Sequence, residues 1–368
     1  MRPTLEERER YLGLAQEILQ RLPGSQHKDL VLRMLCSVLH INEDGRRADL
    51  KLTAAALEEL EQAFDVLEIY SNARKVALFG SARSPKDGAI YAQAREFAAA
   101  IADKEFMVIT GAGPGVMAAG NEGAGRDRSF GMNISLPFET SANEFIADDF
   151  KLLHFKYFFT RKLAFIKDSH AVVLCPGGFG TMDEGYEALT LIQTGKAQLM
   201  PVVLLHPEGS GFWDTWERYT VEALLKNGMI AADDLSLFKV TSSVAEACEE
   251  ITRFYRRYHS MRYHDGHLLL RLSSPVGEDE LEELNRDFAD IVVNGRIELA
   301  TPPEDGGFDR HLKPLPHLRF LYRHGRSGRL RQMIDRLNAR AVATTELPPE
   351  RGEGGRLPVE TDSGLEEV

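Results

Sequence analysis

Apolar residues follow two different rhythms along the chain. In residues 1–73 they recur every three or four positions, which predicts helices over Leu5–Leu22, Asp29–His40 and Ala48–Tyr70. From Lys75 the pattern changes to short apolar runs that alternate with helix-like segments. The runs are Val76–Phe79, Phe106–Thr110, Gly131–Leu136, Ala171–Cys175 and Pro201–Leu205. Such runs are typical of strands buried on both faces of a parallel sheet, so we expect an α/β, doubly wound, Rossmann-like domain.

The pattern changes again after Arg262. Shorter apolar runs and amphipathic segments there predict a small α+β appendage. Its expected strands are His267–Leu272, Arg296–Leu299 and Leu318–Tyr322, and its expected helices are Glu278–Asp290 and Ser327–Ala339. From Ala341 onward Pro, Gly, Glu and Thr dominate, which is typical of disorder. The predicted domains are a helical region at 1–73, the Rossmann-like domain at 74–260, the α+β domain at 261–340 and a disordered tail at 341–368.

Composition and charge limit which partners, metal sites and disulfides the chain is expected to have. The chain has 368 residues and a net charge of −12, which argues against nucleic acid as a partner because no basic field would attract phosphate backbones. A small phosphorylated ligand needs only a few local donors. The three cysteines form no CxxC pair, so we expect neither a disulfide framework nor a zinc site. The charged N-terminus and the lack of a long apolar run predict a cytoplasmic protein without signal peptide or membrane span.

Two glycine-rich segments follow predicted strands. Gly80-Ser81 could present N–H groups and a hydroxyl to a ligand beyond the strand end, although an ordinary βα turn explains it equally well. The segment after Thr110 has three glycines before a helix, which lets backbone N–H groups approach a ligand. A dinucleotide fingerprint is disfavoured, because the spacing is GxGxG, a proline interrupts it and it follows the second strand. Its candidate ligand contacts are Gly111, Gly113 and Gly115.

The strongest motif follows the predicted strand Ala171–Cys175 and precedes a helix expected to begin near Met182. Its glycines would let successive N–H groups form an anion nest, to which the helix dipole and a threonine hydroxyl contribute. That arrangement can bind a phosphate monoester without a metal or many lysines. The candidate binding residues are Pro176, Gly177, Gly178, Gly180 and Thr181.

Glu184 has two interpretations. Thr181-Met-Asp-Glu184 fits a capping box, in which Thr181 is the N-cap and Glu184 only caps the helix. Alternatively, the carboxylate lies one turn from a bound phosphate and orients a water or stabilises positive charge that grows on a ribose ring. Spacing alone leaves both open.

A fourth segment, Phe155–Phe165, combines aromatics with a basic pair. At helical spacing the aromatics indicate core rather than a base-stacking platform. Arg161 and Lys162 fall on another side of that helix. They form either a solvated face or a clamp on the ribose, the phosphate or the departing base, a role that suits the planar fork of Arg.

Together these segments closely resemble the LOG (Lonely Guy) family of Rossmann-like proteins, often mislabelled lysine decarboxylases. The resemblance covers roughly residues 74–258, about half of the chain. The pattern PGGxGTxxE with an upstream Arg-Lys pair is highly specific, whereas each glycine-rich loop alone is not. The matching pieces are Phe79-Gly80-Ser81, Thr110–Met117, Tyr157–Lys162, Pro176–Glu184 and Ala188–Gly195.

The resemblance implies a phosphoribohydrolase, which splits a nucleoside 5′-monophosphate into free base and ribose 5-phosphate and needs no cofactor. It also implies a homodimer or higher homo-oligomer with sites near the subunit interface. Arg161 and Glu184 match the family's catalytic pair, and Lys162 matches a lysine that contacts substrate. Residues Pro176–Thr181 match the phosphate-and-ribose loop, and Thr190 matches a further substrate contact.

Some features depart from the family pattern or go beyond it. The upstream glutamate that usually contacts substrate is either Glu139 or Glu144, and Ala112 stands where many members have glycine. The flanking regions resemble those of larger bacterial relatives that act on ordinary nucleotides, which favours nucleotide turnover over cytokinin riboside 5′-monophosphate hydrolysis. A nucleotide-sensing module without turnover is the main alternative, and a scaffold protein is disfavoured by the glycines at strand ends.

Overall fold

The computed structural model describes residues 5–21, 27–135, 142–300 and 315–340. The chain forms two compact units, residues 1–61 and 62–368. The helices and strands are, in order, α1 (Leu5–Arg21), α2 (Lys28–Asp44), α3 (Arg47–Glu68), β1 (Lys75–Phe79), α4 (Ala89–Ala102), β2 (Met107–Thr110), α5 (Val116–Ala124), β3 (Ser129–Ile134), β4 (Leu152–Phe155), α6 (Phe158–Asp168), β5 (Ala171–Leu174), α7 (Phe179–Gln193), β6 (Val202–Leu205), α8 (Phe212–Tyr219), β7 (Phe238–Thr241), α9 (Val244–Phe254), β8 (Tyr258–His264), β9 (His267–Leu272), α10 (Glu278–Asp287), β10 (Glu298–Ala300), β11 (His317–Phe320) and α11 (Ser327–Ala339).

The first unit is helical, as the 3–4 spacing predicts. Within it α1 packs against α2. Tyr11, Ala15 and Leu19 are buried, and their spacing of four residues places them on one stripe of α1. The Tyr11 ring lies 6.1 Å from the His40 ring of α2, centroid to centroid. Burial of this stripe holds the two helices together.

The second unit is built around a seven-stranded sheet in the order β4-β3-β2-β1-β5-β6-β7, and every neighbouring pair is parallel. The residues of β1, β2, β5 and β6 are buried throughout, so the predicted doubly wound sheet is confirmed. The pattern did not reveal β4 and β7, the two edge strands. Each is only partly buried and contains an exposed polar residue, His154 in β4 and Lys239 in β7. Such strands lack the continuous apolar run by which central strands are recognised.

The order of the strands places a switch point beside β1. The chain builds β2, β3 and β4 on one side of β1 and then returns to add β5, β6 and β7 on the other side. Right-handed crossovers therefore place α4 and α5 on one face of the sheet and α6 and α7 on the opposite face. In open α/β sheets, ligands bind in the crevice beyond the strand ends at such a point. The loops after β1 and β5 border this crevice.

The second sheet is antiparallel, in the order β10-β11-β9-β8, and confirms the predicted α+β appendage. The pattern missed β8, which is rich in His, Arg and Tyr rather than in aliphatic residues. It pairs with β9 through Asp265-Gly266, where φ is 47° and 72°, the left-handed pair that a tight hairpin turn requires. The predicted tail at 341–368 lies outside the described residues.

Helix α11 joins this appendage to the parallel-sheet region. Its Arg331 is buried and bonds to Glu250 of α9 and, at 3.0 Å, to Asp335. Asn338 accepts hydrogen bonds from the backbone N–H groups of Arg257 (2.9 Å) and Tyr258 (3.0 Å), where β8 begins. These buried polar contacts fix the start of the second sheet against α9. Among the described helices, none has the length and apolar content that a membrane crossing needs.

Candidate active site

The phosphate-binding motif forms the start of α7. This helix begins at Phe179, with Gly178 as N-cap and no side-chain hydrogen bond to that cap. The capping-box interpretation of Thr181 and Glu184 is therefore wrong, because the glycines let the helix begin before Thr181. Thr181 lies in the first turn and is buried, and Glu184 lies one turn beyond the start. Glu184 is thus left without a capping role.

The glycines of the motif differ in whether the surrounding protein leaves space for a side chain. A Cβ on Gly177 would lie 2.1 Å from Thr181 Oγ1 and 3.1 Å from the Ser81 backbone nitrogen, so this position needs glycine for packing. At Gly178 and Gly180 a Cβ would meet no heavy atom within 4 Å. Neither lies in the left-handed region. Packing and backbone strain therefore do not account for these two glycines, whereas a ligand that approaches the helix start closely would.

Gly177, Gly178 and Gly180 all have φ outside the left-handed region. The donors available to an anion there are the first N–H groups of α7. Helix geometry leaves these groups without acceptors within the helix. The first N–H that bonds back to the preceding turn is that of Met182, to the Gly178 carbonyl at 3.1 Å. The open helix start can therefore still receive an anion.

Three strand ends are joined at this point. The Ser81 N–H donates to the Pro176 carbonyl (3.1 Å), which ties the loop after β1 to the loop after β5. The Val116 N–H donates to the Ser81 carbonyl (3.1 Å), which ties in the start of α5 after β2. Gly115 has φ +66°, and a Cβ there would lie 2.3 Å from the Ser81 oxygen. A Cβ on Gly80 would overlap Val116 at 2.7 Å. These glycines thus permit close backbone packing at the switch point.

Glu184 is a buried carboxylate in this arrangement, with 6 % of its surface exposed. Its Oε2 atom has no hydrogen-bond partner within the part of the chain that the structure describes. The Lys162 Nζ atom lies 3.6 Å from it. Burial raises the pKa of Glu184, while the charges of Lys162 and Arg161 act in the opposite direction. A carboxylate with an available oxygen and a raised pKa is suited to accept a proton.

Arg161 reaches from α6 to the end of β2. A Cβ on Gly111 would lie 3.2 Å from its Nη2 atom, and its guanidinium lies 5.4 Å from the centre of the Phe165 ring. Phe155 and Phe165 are buried, as a core stripe predicts, whereas Phe158 and Phe159 are each 52 % exposed. The prediction that these aromatics form core is therefore right for the first pair only. Gly113 is covered by Met117, whose Cε would lie 2.6 Å from an added Cβ.

Lys162 does not lie on a solvated face. Its Nζ lies 2.6 Å from Glu187 Oε2 and 2.8 Å from Asp183 Oδ2, and it is largely buried between α6 and α7. Hydrogen bonds to these two carboxylates, with the nearby Glu184 charge, raise the pKa of Lys162 against the effect of burial. The sequence motifs did not point to Asp183 and Glu187. Their i, i+4 spacing on either side of Glu184 was the one available sign of an acidic helix face.

A pocket of about 370 Å³ opens beside the loops after β1 and β2. Glu144 lines it and pairs with Lys86 at 3.4 Å, so of the two proposed upstream glutamates it is the one that can be placed. Glu139 lies outside the described residues. Thr190 is exposed and lies six residues beyond Glu184, about 9 Å further along α7, so the structure does not bring it to the cluster. The remaining lining residues include Arg83, Ser84, Tyr91, Gly115 and Asn143.

Comparison with known proteins bears on the central part of the chain. Residues 114–251 match the protein family described as "Possible lysine decarboxylase". A comparison with curated proteins finds no match. Among the described residues, no cluster of His, Cys, Asp or Glu is placed to hold a metal ion.

Several solved structures are similar to about half of the chain. The molybdenum cofactor carrier protein of Chlamydomonas reinhardtii is 19 % identical over 48 % of this chain and 93 % of its own, with a TM-score of 0.32. The molybdenum cofactor binding protein of Rippkaea orientalis is 20 % identical over 48 % and 91 %, with a TM-score of 0.33. The protein TM1055 is 24 % identical over 48 % and 96 %, also at 0.33.

The segment that matches the family contains the charged cluster. Arg161, Lys162 and Glu184 all lie within residues 114–251, as does the start of α7. Gly80 and Ser81 precede the matched segment but are tied to it through the Ser81 hydrogen bonds to Pro176 and Val116. The loop after β1 therefore lies against the matched segment.

Proposed function

We propose that the chain hydrolyses the N-glycosidic bond of nucleoside 5′-monophosphates and releases a free base and ribose 5-phosphate. The observation that carries this proposal is the buried Glu184 carboxylate, whose Oε2 has no hydrogen-bond partner in the described structure, one turn from the open start of α7. A carboxylate beside an anion-binding helix start suits a substrate that has both a phosphate and a glycosidic carbon.

The 5′-phosphate binds at the start of α7, where Gly178 and Gly180 leave room for its oxygens. The helix N–H groups and dipole stabilise its charge. This placement sets the ribose ring near Glu184. Lys162 and Arg161 supply positive charge beside the site. The Lys162 Nζ atom lies 3.6 Å from Glu184 Oε2, so it makes no direct hydrogen bond to that oxygen.

Hydrolysis then follows from the ionised carboxylate. Glu184 orients a water and takes its proton, the water oxygen bonds to C1′, and the bond between C1′ and the base nitrogen breaks with its electron pair leaving on that nitrogen. The base nitrogen then gains a proton from solvent, and Glu184 releases its proton to solvent and is ionised again. The transition state has oxocarbenium character, which a nearby carboxylate stabilises. Arg161 donates hydrogen bonds to the ribose or to the departing base in this proposal. The reaction consumes one water and needs no further reactant.

The family description names a different activity, lysine decarboxylation. Such enzymes hold pyridoxal phosphate on a lysine that must lose its proton to form a Schiff base. Lys162, the buried lysine of this cluster, has its pKa raised by hydrogen bonds to Asp183 and Glu187. It is therefore held as a cation, which supports a role in binding anions over one as a nucleophile.

We also propose a cytoplasmic homodimer with the site near its interface. Phe158, Phe159 and Tyr186 are largely exposed on the two helices that carry the charged cluster, and Phe179 at the start of α7 is 97 % exposed. Exposed aromatic side chains on these two helices support a protein–protein contact there. Light scattering coupled to size-exclusion chromatography tests it, and a monomer at micromolar concentration would contradict it.

A panel of nucleoside monophosphates tests the proposed reaction, with free base and ribose 5-phosphate measured by chromatography. We expect turnover of at least one monophosphate and poor turnover of the matching nucleoside, which has no anion for the start of α7. Glu184→Ala and Arg161→Ala should each abolish hydrolysis and keep the fold. Equal turnover of a nucleoside and its monophosphate would contradict the phosphate site.

The second candidate function is nucleotide binding without turnover. The same panel separates the two, because a sensing module would bind monophosphates in calorimetry and release no base. Retained binding together with unchanged substrate after prolonged incubation of the wild-type protein would favour this alternative.

A further inference from the structure

Three carboxylates of α7 surround the ammonium group of Lys162, but at unequal distances. Glu187 Oε2 is 2.6 Å and Asp183 Oδ2 is 2.8 Å from the Nζ atom, both within hydrogen-bond range. Glu184 Oε2 is 3.6 Å away, beyond that range. Lys162 is thus committed to the two outer carboxylates and stops short of the buried one.

We propose that Glu187 is a positioning residue that holds the Lys162 ammonium away from the Glu184 carboxylate. Its effect on turnover rests on the proposed hydrolysis, whereas the placement of Lys162 does not. Glu187 follows Glu184 by three residues and lies on the same side of α7, so its carboxylate and that of Glu184 compete for one cation. The shorter contact shows which carboxylate the cation is bonded to.

Of the two outer carboxylates, Glu187 binds Lys162 more strongly than Asp183 does. The Asp183 side chain is 61 % exposed and that of Glu187 is 30 % exposed, while Lys162 is 14 % exposed. Water screens an exposed ion pair, and such pairs contribute little. The less exposed pair between Lys162 and Glu187 therefore decides where the Nζ atom lies.

The position of Lys162 matters because Glu184 must keep one oxygen available. A direct hydrogen bond from Lys162 would occupy Oε2, the atom without a hydrogen-bond partner among the described residues. At 3.6 Å the ammonium still stabilises the carboxylate charge but leaves that oxygen able to accept a proton from water. Removal of Glu187 would let Lys162 move onto Glu184.

The charged groups that face Glu184 give this proposal a pH signature. They are Lys162 and Arg161 from α6 and Asp183 and Glu187 from α7. Loss of Glu187 removes a negative charge that raises the pKa of Glu184, and a closer Lys162 lowers it further. Both effects favour the ionised carboxylate, so the apparent pKa of this coupled group falls.

The test compares Glu187→Ala with Glu187→Gln in the full chain, and Glu249→Gln serves as a control. Glu249 is an exposed carboxylate of α9 paired with Arg256, so its loss changes the net charge equally, away from the site. In crystals of Glu187→Ala we expect Lys162 Nζ at about 2.8 Å from Glu184 Oε2. With the best monophosphate, we expect kcat about tenfold lower and KM within about twofold of wild type.

The pH profile and the amide variant separate positioning from a merely structural role. In Glu187→Ala the acid limb of the kcat/KM profile should move to lower pH. Glu187→Gln still offers an oxygen to Lys162, so it should keep the wild-type placement and most of kcat. A crystal structure of Glu187→Gln reports the placement of Lys162 even where Glu187→Ala does not fold, and a tenfold loss of kcat in that variant with Lys162 still in its wild-type position would overturn the proposal.

Failure of the proposed function is distinguishable from failure of this inference. If the wild-type protein releases no base from any monophosphate, the hydrolysis proposal fails. Carbon-13 NMR titration of the Glu184 carboxyl, assigned with Glu184→Gln, still reports on the inference in the ligand-free protein. An unchanged titration in folded Glu187→Ala, or a Lys162 that stays beyond hydrogen-bond range of Glu184 in its crystals, would overturn it.

Discussion

The guanidinium of Arg161 occupies the space beside Gly111 that a side chain at that position would need. An added Cβ would lie 3.2 Å from Arg161 Nη2. Gly111 follows β2, whereas Arg161 comes from α6 on a separate part of the sheet. The glycine therefore lets Arg161 lie against the strand end, close enough for its charge to act on Glu184.

Gly111→Ala should displace Arg161 and lower the rate. The added methyl would also press on Met117 Sδ, at 2.7 Å, so a control must reproduce that contact alone. Gly113→Ala does so, because its Cβ would meet only the end of Met117, at 2.6 and 3.3 Å. We expect kcat/KM to fall about 10- to 100-fold in Gly111→Ala, the usual effect of a small misplacement. Equal losses in both variants would show that Met117 and not Arg161 is responsible.

Glu184→Gln should inactivate the protein and stabilise it at neutral pH. Burial raises the folded-state pKa of Glu184, so the neutral form is the one that folding favours. Its contribution to stability is complete below the unfolded pKa, about 4.3, and is lost as pH rises through the folded value. The amide of Glu184→Gln does not ionise, so this variant should be more stable than wild type at neutral pH by about 1.4 kcal/mol per unit of pKa shift.

Thermal unfolding from pH 3 to pH 8 measures this effect. The Tm of Glu184→Gln should match that of wild type at the acid end and exceed it increasingly towards neutral pH. Glu217→Gln, an exposed glutamate of α8, should show no such divergence. A variant less stable than wild type at neutral pH would mean that the carboxylate stabilises the fold, which would contradict the catalytic assignment.

The sequence predicted those features that depend on the residues of a single strand or helix. The apolar runs of β1 and β5 predicted the central sheet, and the PGGFGT motif marked the start of α7. The edge strands and β8 are half-buried or polar, so their runs are not continuous. Only folding brings α6 against α7, which is why the carboxylates around Lys162 could not be predicted from spacing. The capping box failed because glycines, not Thr181, begin the helix.

Gly180→Ala should stabilise the chain and weaken substrate binding. Gly180 lies in α7 with φ outside the left-handed region, and a Cβ there would meet no protein atom within 4 Å. Alanine should therefore stabilise the helix by up to about 1 kcal/mol. The same methyl would crowd a phosphate at the helix start, so we expect KM to rise about tenfold, which corresponds to about 1.4 kcal/mol.

Gly185→Ala is the matched control in the same helix. Its Cβ would lie 2.6 Å from Leu174 Cδ1, so it should destabilise by about 1–3 kcal/mol through overpacking. Urea unfolding and Michaelis–Menten kinetics on both variants compare the two effects. An unchanged KM in Gly180→Ala would contradict the proposal that the substrate phosphate binds at the start of α7.

Arg331→Ala should destabilise the junction between the second sheet and α9. Arg331 is buried and bonds to the buried Glu250 and to the partly exposed Asp335. Removal of Arg331 leaves the buried Glu250 without its buried cation, a loss that typically costs about 3–5 kcal/mol. Arg253→Ala removes an exposed cation from the same Glu250 and should cost less than about 1 kcal/mol. Urea unfolding of the two variants measures the difference. Similar small losses in both would mean that the second sheet is held to α9 by apolar packing and the Asn338 hydrogen bonds rather than by this ion pair.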